Sequence, residues 1–303
     1  MNRLSILVVI AVLIHSGCVF GQTFPKLTII NTNAEVSYDL SAQMYTYVYR
    51  LKNDHGNTGS IESFHIDISR DSNSIMYDTV GLRFSNALYA TWFQRDYAEL
   101  ASRVVPVGFP ALPSSYWMAL LSPHFLTAGF YKDTLFVLPG DSISLVLMSR
   151  ALPGIRNFAV ECAFDPYALF PEVPDSVEPP YSMAEIDSIE ESCNYHGTTV
   201  GPVAPRSPLD SLAFLDTLRS YSARAFSLGW ISNQAIADKY KTLFDSVKTQ
   251  LSRGNAQKAR ATLDAIMVRA RGDAGSALTS EAFALIYFNA KYLSDISRKS
   301  SSK

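Results

Sequence analysis

Net charge is nearly absent from this sequence. It carries 26 basic and 28 acidic side chains, a formal charge of −2. A chain so balanced has no electrostatic reason to bind nucleic acid or an anionic membrane. Histidine and cysteine are scarce, with five and three residues in 303. There is no His-x-x-x-His pair, no Gly-x-Ser-x-Gly elbow and no glycine-rich phosphate loop, so the common zinc-protease, esterase and nucleotide motifs are missing. A second long apolar run is also lacking. The tail Ser297–Lys303 is polar, so no C-terminal membrane or wall anchor is expected.

The one long apolar run lies at the start. Arg3 is the only charge before Leu4–Ile14, which is apolar apart from Ser5, and His15, Ser16 and Gly17 follow. Val19 and Gly21 occupy the −3 and −1 positions of a cut before Gln22, where signal peptidase accepts small or short residues. A spanning helix needs about 20 apolar residues, more than this run provides. Residues 1–21 therefore read as a cleavable secretory signal, with no membrane span once it is removed. Lipidation at Cys18 is the alternative, although His15 stands where a lipoprotein signal usually has Leu.

After cleavage Cys162 and Cys193 remain. In an oxidising compartment they suit one disulfide, tying the end of the β region to the segment that follows. Two separate thiols, one of them buried, is the other reading. Sequence alone does not place their Cα atoms within bridging distance.

Apolar residues make up 48% of the chain, ample for a core. Three regions follow the signal. Residues 22–165 have the pattern of an antiparallel β-sandwich of immunoglobulin-like architecture. Tyr45, Tyr47, Tyr49 and Leu51 alternate with Thr46, Val48 and Arg50, and Phe64, Ile66 and Ile68 alternate with His65, Asp67 and Ser69. With Asn53-Asp54-His55-Gly56-Asn57 between them, the two runs read as a hairpin. Pro139-Gly140-Asp141 reads as a type II turn between two further strands. A short helix is expected near Asp96–Arg103.

Residues 166–206 read as an extended, solvated linker. Pro166, Pro171, Pro174, Pro179 and Pro180 punctuate its start, and seven acids between Glu172 and Glu191 face no Lys or Arg. One or two helical turns could form at Ala184–Ser192.

From Ser207 the apolar period becomes 3.6, and residues 207–303 read as an antiparallel four-helix bundle. Ser207 and Pro208 start the first helix, which runs to Leu228, where Gly229 suits the left-handed position and Trp230 packs back on the last turn. Ile236, Tyr240, Leu243, Val247 and Leu251 stripe the second helix; Ala259, Leu263, Ile266 and Ala270 stripe the third. Thr279 caps the fourth, whose apolar face holds Leu285, Asn289 and Leu293. Asn289 there is expected to bond a neighbouring turn.

The helical region resembles the FIMAH domains of bacterial extracellular proteins, which are related to FIVAR domains. The resemblance is carried by Phe214-Leu215, Leu228-Gly229-Trp230-Ile231, Arg253-Gly254-Asn255, Ala259, Leu263, Leu278–Ala282 and Asn289–Leu293. It spans about residues 207–296 and implies a non-catalytic module beside carbohydrate-active or adhesive domains, without defined binding residues.

Trp92, Tyr97, Tyr116 and Trp117 are the candidate ligand-binding aromatics. A ring laid on a sugar face gives large contact area with little entropy lost, while a sandwich core also takes up aromatics. His65 and Asp67 share a strand face; they read either as two metal ligands, as a base with its orienter, or as the polar side of a half-exposed strand. Asp71–Ser74 reads as a turn. No catalytic set, cofactor or metal site is expected. The chain as a whole reads as an exported binding, adhesion or structural protein, with polysaccharide or a surface glycan as its partner. A secreted polysaccharide hydrolase using two carboxylates from separate loops is the alternative.

Overall fold

The computed structural model describes residues 24–67, 106–107, 117–121, 125–130, 136–165, 181–203 and 209–301. The expected signal peptide with Cys18, the Asp71–Ser74 turn, the helix near Asp96–Arg103, and Trp92, Tyr97 and Tyr116 all lie outside the described residues.

The class is mixed β and α. Nine strands occur among the described residues: β1 (Ile30–Asp39), β2 (Met44–Asn53), β3 (Ile61–Asp67), β4 (Pro106–Val107), β5 (Trp117–Leu121), β6 (Phe125–Phe130), β7 (Ser142–Ser149), β8 (Leu152–Cys162) and β9 (Tyr195–Val203). They form two antiparallel sheets, ordered β1-β2-β7-β4 and β5-β6-β3-β8-β9. Alternation in β2 turns Tyr45, Tyr47, Tyr49 and Leu51 into the core. There Tyr49 of the first sheet meets Phe64 of the second, and Phe64 meets Phe158.

The expected hairpin between the two alternating runs is not made. β2 pairs with β1 and β7, whereas β3 pairs with β6 and β8. Alternation marks a half-buried face but does not name the neighbouring strand. The loop that crosses between sheets is fixed by two buried amides. Asn53 Nδ2 donates to Gly59 O at 3.0 Å and Val137 O at 2.9 Å, and Asn57 Oδ1 accepts from the Thr28 and Ile29 amides. The Pro139-Gly140 turn is present: Gly140 has φ +96° and Asp141 N donates to Leu138 O at 2.9 Å.

The linker reading of 166–206 is corrected over its second half. Met183–Cys193 forms helix α1, with Ser182 and Glu185 in a capping box, and Tyr195–Val203 forms β9 at the edge of the second sheet. The acidic run that suggested solvation ends before β9, where Thr198, Thr199 and Val200 are good strand formers, and Pro202 is accommodated because β9 is an edge strand.

Four longer helices follow: α2 (Ser211–Ser227), α3 (Gln234–Ser252), α4 (Ala256–Asp273) and α5 (Ser280–Ser301). Each packs on the next, and α2 packs on α5. The cap of α2 is Asp210, which accepts from Leu212 N and Ala213 N, so the helix starts later than Ser207 suggests. Gly229, at φ +74°, and Trp230 N, which donates to Ala225 O, end it as expected.

The helices do not stand apart from the sheets. α5 packs on β1, β8 and β9 as well as on α2 and α4, so it is buried nearly all round. Glu281 Oε1 in its first turn accepts from the edge amide Ala34 N at 2.6 Å. Asn289 Nδ2 donates to Leu285 O in the preceding turn and to Pro153 O in β8, each at 2.8 Å.

Candidate functional site

The face of β2 opposite the buried tyrosines carries Arg50 and Lys52. Register puts each cation between an amide on β1 and a hydroxyl on β7. Asn33, Arg50 and Ser144 form one rank across the strands; Asn31, Lys52 and Ser142 form the next. Residues two apart on a strand share a face about 6.8 Å apart. The two ranks line a shallow depression of about 300 Å³, at the small end of ligand sites.

Arg50 is engaged by Glu35 through both carboxylate oxygens, with Nη2 to Oε2 at 3.1 Å. Hydrogen bonding to Glu35, followed by its charge, raises the Arg50 pKa above the ordinary value. Both side chains are about half exposed, so the pair contributes little stability. Lys52 makes no ion pair with a described residue. Asn33 Nδ2 donates to Ser280 Oγ at 2.9 Å, which fixes that end of the depression to the start of α5. The array offers ammonium, guanidinium, amide and hydroxyl groups. It holds no pairing of nucleophile with base.

A second polar cluster lies on the outward face of the other sheet. The partners of His65 are Ser63, Thr127 and Glu161, each from a pairing strand or the same strand. Its Nε2 lies 2.6 Å from Ser63 Oγ and 3.0 Å from Glu161 Oε1; its Nδ1 lies 2.8 Å from Thr127 Oγ1. Ser63 Oγ donates to Glu161 Oε2. The hydrogen bond from His65, then that from Ser63, holds the Glu161 carboxyl below its usual range against the opposing cost of burial. The serine hydroxyl thus donates to a carboxylate, and the imidazole Nε2 lies beside both groups. That is the reverse of a nucleophilic triad, in which imidazole takes the serine proton. Ser63 is only 4% exposed. The cluster stitches β6, β3 and β8 together.

Asp67, expected beside His65, is not among its hydrogen-bond partners; its charge instead acts on Arg156. Arg156 turns inward, and its Nε and Nη2 both donate to Pro202 O. Among the described residues no group of three His, Cys, Asp or Glu could hold a metal ion.

Of the candidate aromatics, Trp117 opens β5 opposite Phe130; the other three lie outside the described residues. Cys162 and Cys193 are held as separate thiols, both buried. Burial, with a smaller contribution from Cys193, pushes the Cys162 thiol up to about 12. Both depressions of sequence signal have one cause: Glu161, Thr127, Asn31 and Ser142 reach their partners through strand pairing, and no local spacing marks them.

No protein-family model and no curated protein matches this sequence.

Proposed function

We propose that this is an exported, non-catalytic binding or adhesion protein whose ligand is a small polar group, a carbohydrate unit, held across β1, β2 and β7. The observation that carries the reading is the pair of Asn–cation–Ser ranks, Asn33–Arg50–Ser144 and Asn31–Lys52–Ser142. Amides and hydroxyls match sugar hydroxyls as donors and acceptors, and Lys52 supplies a charge-assisted bond. In this reading the two sheets pack face to face as an immunoglobulin-like sandwich, and α2–α5 form an antiparallel bundle of FIMAH type. The signal-like residues 1–21 support export, and the buried state of Ser63 supports a role without catalysis.

The test is retention of the full chain on a glycan array and on insoluble polysaccharides, with released sugar assayed in parallel. Lys52→Ala combined with Asn31→Ala should weaken retention about tenfold or more, since a hydrogen bond to a charged group contributes ~1.5–3 kcal/mol. The melting temperature should stay unchanged, because both side chains are exposed. Undiminished retention by this variant would remove the site from the proposal. Sugar released by the wild-type chain would replace binding with hydrolysis.

A further inference from the structure

We propose that Cys162 and Cys193 close into a disulfide that clasps the β8–α1–β9 excursion onto the second sheet. The β8–β9 ladder pairs Asn157 with Thr198, Ala159 with His196 and Val160 with Tyr195. Continued two positions past its last pair, the same register would set Cys162, at the end of β8, opposite Cys193, the last residue of α1. Directly opposed residues of an antiparallel pair have Cα atoms about 4.5–5.5 Å apart, within the roughly 4.4–6.8 Å that a disulfide spans.

A second observation does not depend on the register. One stretch of chain walls in both cysteines. Leu27 N donates to Cys193 O at 2.9 Å, and Gly59 N donates to Lys26 O at 3.2 Å. A Cβ placed on Gly59 would lie 2.3 Å from Cys162 Sγ and 3.1 Å from Lys26 N. Cys162 N also donates to the side chain of Asn194, the residue after Cys193, at 2.9 Å. In the reduced form each thiol faces a local carbonyl: Cys193 Sγ donates to Ile189 O at 3.2 Å, and Cys162 Sγ lies 3.9 Å from Ala163 O. Bridging therefore requires each thiol to turn away from its local carbonyl toward the other.

The oxidant is a disulfide, small-molecule or protein, of the kind an oxidising compartment supplies. One cysteine thiolate attacks a sulfur of that disulfide and releases one thiolate. The second cysteine then attacks the first cysteine's sulfur in the mixed disulfide and releases the other. The pair loses two protons and two electrons, and the oxidant becomes two thiols. Thiolate is the attacking species, and both folded thiols are buried. The bond accordingly forms as the chain folds, before Lys26–Leu27 and Gly59 close over the site. The inference rests on the export in the reading above and not on its ligand face, which its failure would leave intact.

The experiment is refolding of the full, reduced chain in a buffer of reduced and oxidised glutathione, alkylation in denaturant, and tryptic mapping by mass spectrometry. No Lys or Arg lies between Arg156 and Arg206, so one peptide, Asn157–Arg206, carries both cysteines and excludes Cys18. The expected peptide is lighter by two hydrogens and takes up alkyl groups only after reduction. Cleavage after Glu185 should then yield two fragments still joined. Reduction should lower the melting temperature by on the order of 5–10 °C, and Cys162→Ser should match the reduced wild type. Full alkylation without reduction, glutathione adducts at both sites, or equal melting of oxidised and reduced chain would each overturn the clasp.

Discussion

Removing the Glu281 carboxylate should loosen the helices from the sheets. β1 is an edge strand, so half of its amides have no strand partner. One of them, Ala34 N, is fully buried and is bonded instead by Glu281 Oε1 at 2.6 Å. Glu281→Ala deletes a charge-assisted hydrogen bond and leaves that amide enclosed without an acceptor, at a cost of about 1.5–3 kcal/mol. Loss of an acid from the first turn of α5 adds about 0.3–1 kcal/mol through the helix dipole. For a chain of this size each kcal/mol lowers the melting temperature by roughly 2–4 °C. The expected fall is therefore about 4–16 °C in thermal unfolding followed by circular dichroism. Glu281→Gln keeps a neutral acceptor in place and should cost about half as much. Hydrogen exchange at Ala34 supplies the local readout, with protection lost in the Ala variant and largely retained in the Gln variant. Unaltered melting and unaltered protection at Ala34 in Glu281→Ala would refute the view that this contact joins helix to sheet.

Glu161→Gln should destabilise the protein at neutral pH and matter less in acid. The folded carboxyl is held below its usual range by His65. Its stabilisation is therefore present above the unfolded value and lost as pH falls through the folded one. Urea titrations of both chains from pH 7 down to pH 3 should converge; a constant gap would contradict the linkage. Gly154→Ala should cost about 1–3 kcal/mol by overpacking, because its Cβ would stand 2.1 Å from Val203 Cγ2 and 2.8 Å from the Tyr221 hydroxyl. Denaturant unfolding measures this, and a neutral result would mean that the end of β9 yields freely.

Local chemistry determined much of this molecule. The alternation of Tyr45 to Leu51 marked a half-buried strand, because side chains in a strand change face at every residue. The stripes of α3 and α4 and the end at Gly229 were legible for the same kind of reason: helix period and left-handed backbone preference are properties of a few adjacent residues. Asn289 was readable as a polar group bonded to a neighbouring turn, though only one of the two carbonyls its Nδ2 reaches, Leu285 O, lies in its own helix, and its buried Oδ1 has no partner among the described residues. Tertiary structure decided everything that depends on pairing between distant segments. Which strand neighbours β2, that β9 lies inside a segment of linker-like composition, that Glu161 rather than Asp67 meets His65, and that Asn and Ser flank Arg50 and Lys52 are all matters of register. Register is set by the whole buried face and by loop geometry at once, and no window of sequence contains either.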